Sequence, residues 1–279
     1  MTESSPPHHD SNEIAEAFAA IALVAGQAIL DVRRNGFSAR QKADASPVTE
    51  ADERAEAIIL DALALLTPNI PVIAEECVSR GEIPAIAEEF ILVDPLDGTR
   101  EFLGGYNDFT VNIALIRVGA PVAGVVFAPA LGRIWIAGRE AFVASVEPGA
   151  PLPAHASRRK IHSRPAPASG LVALVSRSHL DPKAVEELSR LPIAERRPMG
   201  SSVKFCVIAE GEADIYPRFG PTMEWDTAAG DAVLRAAGGA CLGEDGEPMQ
   251  YGRNGRAFHN GGFVAWGDLK ARRRLSPLI

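Results

Sequence analysis

The sequence predicts an α+β fold, with an antiparallel sheet in the N-terminal half and an α/β arrangement in the C-terminal half. Three observations carry this. Apolar residues recur with a helical period through the first 66 positions. Alternation broken by tight turns takes over at 110–145. Beyond a stretch rich in Pro, Ala, Ser and Arg at 147–169, short apolar runs alternate with helical segments. The stretch at 147–169 reads as a linker, so the expected organisation is a disordered tail over 1–10, one half over 11–155 and a second over 156–279.

Taken in order, Ser11 caps a first helix whose apolar stripe is Ile14, Phe18, Ile21, Ala25, Ala28 and Val32. Ser46-Pro47 or Thr49 opens a second, with Ile58, Ile59, Leu63 and Leu66 inward. Thr49-x-x-Asp52 fits a capping-box variant there, which makes Asp52 a candidate helix cap. The run 90–93 reads as a buried strand, stopped by Pro95 and turned by Gly98. Strands at 111–118, 122–128, 133–137 and 141–145 form a meander. A strand at 171–175, a helix at 183–191, a helix at 203–210 ending on Gly211, and a helix from Asp226 to Gly238-Gly239 complete the pattern.

Composition narrows the function. A net charge of −8 argues against binding a nucleic-acid polymer, while leaving a nucleotide as a possible small substrate. The three cysteines, Cys77, Cys206 and Cys241, are scattered and show no metal-type spacing, which suits reduced thiols and a cytoplasmic setting. No run approaches 18 to 20 apolar residues, so no transmembrane segment is expected. The Arg272-Arg273-Arg274 run reads as a solvated face, with weak peripheral contact with the inner membrane as the alternative.

The most informative stretch is Asp94-Pro95-Leu96-Asp97-Gly98-Thr99. It brings two carboxylates and the Leu96 carbonyl to a strand end, the oxygen ligands a hard divalent cation takes; an acidic turn is the other reading. The stretch resembles a signature of the lithium-sensitive, magnesium-dependent phosphatases, which include inositol monophosphatases, fructose-1,6-bisphosphatases and 3'(2'),5'-bisphosphate nucleotidases. Trp225-Asp226-Thr227-Ala228-Ala229-Gly230 matches a second signature, Glu75-Glu76 a metal-binding glutamate, and Pro47-Val48-Thr49-Glu50-Ala51-Asp52 the segment that supplies a water-activating aspartate. Within this superfamily the chain most resembles the bacterial bisphosphate nucleotidases, over about 44–262. Gly200-Ser201-Ser202-Val203-Lys204 and Tyr216-Pro217-Arg218-Phe219-Gly220 are among the supporting stretches.

The resemblance implies an inositol monophosphatase-like fold of layered αβαβα type, with the first half binding metal and the second half substrate. It implies two or three magnesium ions per site. Glu75, Asp94 and the Leu96 carbonyl would hold one, and Asp94, Asp97 and Asp226 a second, with Asp94 bridging; a third would lie between Glu75 and Asp52. Thr99, oriented by Asp52, would position the attacking water together with the metal at Glu75, and the Gly98 and Thr99 N–H groups would hold phosphate oxygens. His179, Ser201, Lys204, Arg218 and Asp226 match substrate-contacting positions. Lys204 and Arg218 suit a second, non-reacting phosphate, whereas inositol monophosphatases carry an acidic residue near the place of Arg218.

Local alternatives remain at this stage. Glu75-Glu76 reads also as an exposed acidic pair, and Asp226 as an N-cap, a role compatible with facing a metal. Lys204 reads as a surface residue, His179 as a loop residue, and Arg218 as a partner of Asp214 or Glu224. The function implied is hydrolysis of adenosine 3',5'-bisphosphate to AMP and phosphate in sulfate assimilation, extending to 3'-phosphoadenylylsulfate. The alternatives are an inositol or sugar phosphatase, or an inactive metal- or nucleotide-binding regulator. Monomer and homodimer are both compatible with the family.

Overall fold

The alternation that marks the central strands buries both of their faces, and a layered architecture follows from that. The computed structural model describes residues 10–41, 47–178, 181–252 and 257–275. In β4 (Glu89–Asp97), Phe90 and Leu92 enter one apolar cluster while Ile91 and Val93 enter another. In β5 (Thr110–Arg117), Ala114 and Ile116 join the first cluster, and Val111, Ile113 and Leu115 the second. Each large aliphatic side chain buried in this way contributes about 1.5–3 kcal/mol.

The first sheet has seven strands in sequential order. These are β3 (Val72–Ala74), β4, β5, β6 (Ala120–Ala128), β7 (Arg133–Ala137), β8 (Ala141–Ser145) and β9 (Arg159–Lys160). From β4 onward the pairing is antiparallel, as the meander predicts; β3 differs, running parallel to β4. The expected linker also contributes structure, because β9 pairs with β8 from beyond the anticipated boundary at 155. A two-residue strand has no periodicity to read. The second sheet has the order β11 (Ile193–Met199), β10 (Leu171–Ser176), β12 (Ile215–Arg218), β14 (Phe263–Trp266) and β13 (Ala240–Gly243), parallel across β11, β10 and β12 and antiparallel thereafter. A separate ribbon pairs β1 (Ala39–Gln41) with β2 (Pro47–Thr49).

Helices fill the remaining layers. α1 (Ser11–Asn35) and α2 (Glu50–Leu66) cover the outer face of the first sheet. α6 (Val203–Ala209) and α7 (Glu224–Ala236) lie between the sheets, and α5 (Pro182–Ser189) and α8 (Leu269–Leu275) pack outside the second. Gly124 of β6 permits the close approach of α7, since a Cβ there would sit 2.7 Å from the Ala232 methyl. α3 (Glu75–Ser79) and α4 (Thr99–Leu103) are short turns at strand ends.

Several local expectations are corrected. Asp10, counted with the tail, caps α1 by accepting a hydrogen bond from the Asn12 N–H at 2.9 Å, and Ser11 becomes the first helical residue; residues 1–9 lie outside the described ones. Leu66 is exposed, because α2 ends there and Thr67 turns away. α1 proves long and apolar enough to span a bilayer, which the sequence reading did not anticipate. Its buried stripe, including Ile14, Phe18 and Ile29, lies in the core against the first sheet, which marks it as a core helix. Among the cysteines, Cys206 and Cys241 are buried, Cys77 is partly so, and all three are free thiols.

Candidate active site

The site begins with an irregularity in β4. Residues three apart in a regular strand face opposite sides. Between the pairs Asp94–Asn112 and Asp97–Thr110, β4 spends one residue more than β5. This β-bulge brings both carboxylates to one cavity of about 260 Å³. Pro95, expected to stop the strand, sits within the bulge, where no ladder donor is required. The Leu96 N–H donates to Asp94 Oδ1 at 3.0 Å. Gly98, at φ +93°, then adopts the left-handed conformation that turns the chain into α4, of which Thr99 is the first residue.

Asp52 serves as both cap and site residue. It occupies the third position of α2, where Oδ2 accepts from the Thr49 N–H and hydroxyl, each at 2.7 Å. Its Oδ1 lies 3.1 Å from the Thr99 hydroxyl, which is also 3.3 Å from the Leu96 carbonyl. Burial raises the Asp52 pKa, offset in part by the Thr49 and Thr99 hydrogen bonds. The neighbouring Glu56 accepts the Glu76 N–H at 2.8 Å, which fixes the start of α3 and places Glu75 on the cavity wall. Glu76 is buried and Glu75 half-buried, so an exposed acidic pair is ruled out.

Asp226 enters from α7. The helix starts at Glu224, so Asp226 is its third residue, not the N-cap. Its Oδ2 accepts the Met223 N–H at 2.8 Å, so the carboxylate still satisfies the helix end. Ser202 ties this region to β4. Its N–H and hydroxyl lie 2.6 and 2.8 Å from Asp97 Oδ2, and the hydroxyl lies 2.6 Å from the Asp226 carbonyl and 2.9 Å from Asn112 Nδ2. Burial raises the pKa of Asp97 and lifts that of Asp226 far more, where repulsion from Asp97 and Glu75 adds to it.

Glu75, Asp94, Asp97, Asp226 and the Leu96 carbonyl therefore form an all-oxygen donor set whose negative charges repel one another. That fits a hard divalent cation, which draws its remaining ligands from water and substrate phosphate. Among the described residues no three acidic, imidazole or thiol side chains stand together closely enough to hold a metal ion by themselves.

Across the cavity the wall is cationic. Lys204 is only 4% exposed, which excludes a surface role. Its ammonium donates to the Ser201 carbonyl at 2.6 Å, and burial lowers its pKa to about 8 against the pull of Asp97. Arg218 is 7% exposed and donates through Nη2 to the Pro221 carbonyl at 3.0 Å; its buried Nε has no partner among the described residues. Asp214, one suggested partner, is taken by Arg164 at 2.9 Å. Ser201 lines the same wall at φ +45°. His179 lies outside the described residues.

The sequence profile of the inositol monophosphatase family matches residues 10–274. The chain belongs to the inositol monophosphatase family. It is 42% identical over 245 residues to the 3'(2'),5'-bisphosphate nucleotidase CysQ of Escherichia coli K12, covering 87% of this chain and 95% of that protein. The crystal structure of CysQ from Bacteroides thetaiotaomicron superposes with a TM-score of 0.76 at 34% identity, over 92% of this chain and 97% of that one. The extragenic suppressor protein SuhB of Bartonella henselae shares the fold, with a TM-score of 0.75 at 24% identity over 95% and 98% of the two chains. As a member of the family the protein is a metal-dependent phosphoric monoester hydrolase.

Sequence reasoning passed over Ser202, Asn112 and Tyr216. Ser202 and Tyr216 stand inside quoted motifs, but only tertiary contacts separate Ser202 from Ser201 or turn Tyr216 toward the cavity.

Proposed function

We propose that the protein is a magnesium-dependent 3'(2'),5'-bisphosphate nucleotidase that converts adenosine 3',5'-bisphosphate to AMP and phosphate and also accepts 3'-phosphoadenylylsulfate. The observation that carries this reading is Arg218, a buried guanidinium whose Nε has no partner among the described residues, facing the cavity beside Lys204. Two buried cations suit a substrate with a second phosphate and have no evident use for an uncharged polyol. The 42% identity to a protein named for this activity supports the same substrate.

Glu75, Asp94 and the Leu96 carbonyl would hold one ion, and Asp94, Asp97 and Asp226 a second. When bound, these cations supply a water of lowered pKa and offset charge on the phosphoryl and leaving oxygens. Thr99 positions the attacking water, and its own proton is held toward Asp52 Oδ1, so the pair can take up the proton that the water loses. The Gly98 and Thr99 N–H groups hold phosphoryl oxygens at the turn into α4. The water oxygen bonds to phosphorus as the phosphorus–3'-oxygen bond breaks, and the leaving 3'-oxygen takes a proton from solvent to become the ribose hydroxyl. Ser201, Lys204 and Arg218 hold the 5'-phosphate.

The free thiols suit a cytoplasmic protein, and the substrate would place it in sulfate assimilation, removing a by-product of sulfotransfer. Phosphorus NMR of the reaction tests the reading. It predicts loss of the 3'-phosphate signal and retention of the 5'-phosphate; release of the 5'-phosphate would reverse the assigned orientation.

A further inference from the structure

The cationic wall contains a third polar group that the proposed function does not use. Tyr216 lies two residues before Arg218 on β12, which places both on the same face of the strand, and both line the cavity. The Tyr216 side chain is 4% exposed, and the Lys204 ammonium stands 4.9 Å from its ring centroid. Phe205 and Phe263 brace that ring edge-on at centroid distances of 5.5 and 5.7 Å, leaving it little freedom. Among the described residues its hydroxyl has no hydrogen-bond partner, and the oxygen is not sealed off but opens onto the cavity that the side chain lines. Burial raises the pKa of the phenol, so the hydroxyl keeps its proton and remains a donor.

Two donors that face one cavity, the Tyr216 hydroxyl and the buried Arg218 Nε, thus have no acceptor among the described residues, beside a buried ammonium. A ligand rich in acceptors and negative charge would satisfy all three. A phosphate group does so; a sugar hydroxyl offers one weak acceptor and no charge.

We infer that the Tyr216 hydroxyl is a third donor to the non-reacting phosphate, and that it sets the preference for bisphosphorylated over monophosphorylated nucleotides. This rests on the nucleotidase reading and adds a residue to it. A site built to hydrogen-bond a group discriminates against analogues that lack it, because its donors then lose that charged acceptor.

The test is Tyr216→Phe in the full-length chain. The substitution keeps the ring that packs on Phe205 and Phe263 and removes only the hydroxyl, so the thermal midpoint should not fall. Expected is a loss of tenfold or more in kcat/KM for adenosine 3',5'-bisphosphate, with adenosine 3'-monophosphate turnover unchanged. Calorimetric binding of AMP, which retains only the non-reacting phosphate, should weaken in parallel. Unchanged selectivity, or an equal loss on both substrates, overturns the inference while leaving the nucleotidase reading intact. A wild-type enzyme with no preference for the bisphosphate overturns that reading first and this inference with it.

Discussion

The Thr99 hydroxyl stands 3.1 Å from Asp52 Oδ1, across 47 positions of sequence. The contact joins the turn after β4 to the capping box of α2, and the capping bonds leave Asp52 Oδ1 for Thr99. Replacing Asp52 with Asn preserves an acceptor for the cap but removes the base that receives the Thr99 proton. A fall in kcat of about 10²–10⁴-fold is expected, with KM little changed. Stability should alter by no more than about 1 kcal/mol, because the Asn amide oxygen can still accept from Thr49 at the third helical position. Steady-state kinetics and thermal melts measure both, and a kcat within tenfold of wild type would contradict the role.

Arg218→Ala should damage nucleotide turnover selectively. Losing a charged hydrogen bond to phosphate costs about 1.5–3 kcal/mol, or ~10–100-fold in kcat/KM for adenosine 3',5'-bisphosphate. A monoester without a second phosphate should be hydrolysed as before. Equal loss on both would make Arg218 a structural residue.

The lowered pKa of Lys204, about 8, gives the substrate site a pH dependence. Raising the pH through 8 removes a positive charge from the free enzyme, so kcat/KM for the bisphosphate should decline above that value. The decline should be shallower for a monophosphate, and Lys204→Met should flatten the difference. A wild-type profile identical for both substrates would contradict the assignment.

Repulsion among Asp97, Glu75 and Asp226 predicts a link between metal and stability. Magnesium at 100 times its dissociation constant should stabilise the fold by about 2.7 kcal/mol, read as a higher melting temperature. Asp226→Asn should melt no lower than wild type without metal, since a repulsive charge is gone and Asn can still accept the Met223 N–H. It should also lose the magnesium-induced rise. A rise equal to that of wild type would remove Asp226 from the ligand set.

Ser202→Ala retains the backbone N–H bond to Asp97 and loses the hydroxyl that also meets the Asp226 carbonyl. The magnesium concentration for half-maximal activity should rise several-fold, with restoration by Ser202→Thr. An unchanged metal requirement would show that the hydroxyl does not hold the carboxylates in place.

Much of the fold could be read directly because it depends on local periodicity. The meander, the strand at 171–176 and the helices at 182–189 and 203–209 carry their own patterns. What escaped depends on pairing between distant segments. The bulge at Asp94–Asp97 exists only relative to β5, and β9 is defined by its neighbour β8. The start of α7 at Glu224 was missed because Asp226 is a better cap residue than Met223; the structure instead uses its carboxylate one turn in. The acidic candidates were visible as residue types, while Ser202 and Tyr216 acquire their places only through the packing of α6 and β12.

The most direct test of the central claim is phosphate release from adenosine 3',5'-bisphosphate and from inositol 1-phosphate, side by side, with magnesium and with a chelator. The account predicts a strong preference for the nucleotide that vanishes with the chelator. Preference for the inositol ester would contradict the reading of the Lys204–Arg218 wall, and activity that survives chelation would contradict the reading of the carboxylates.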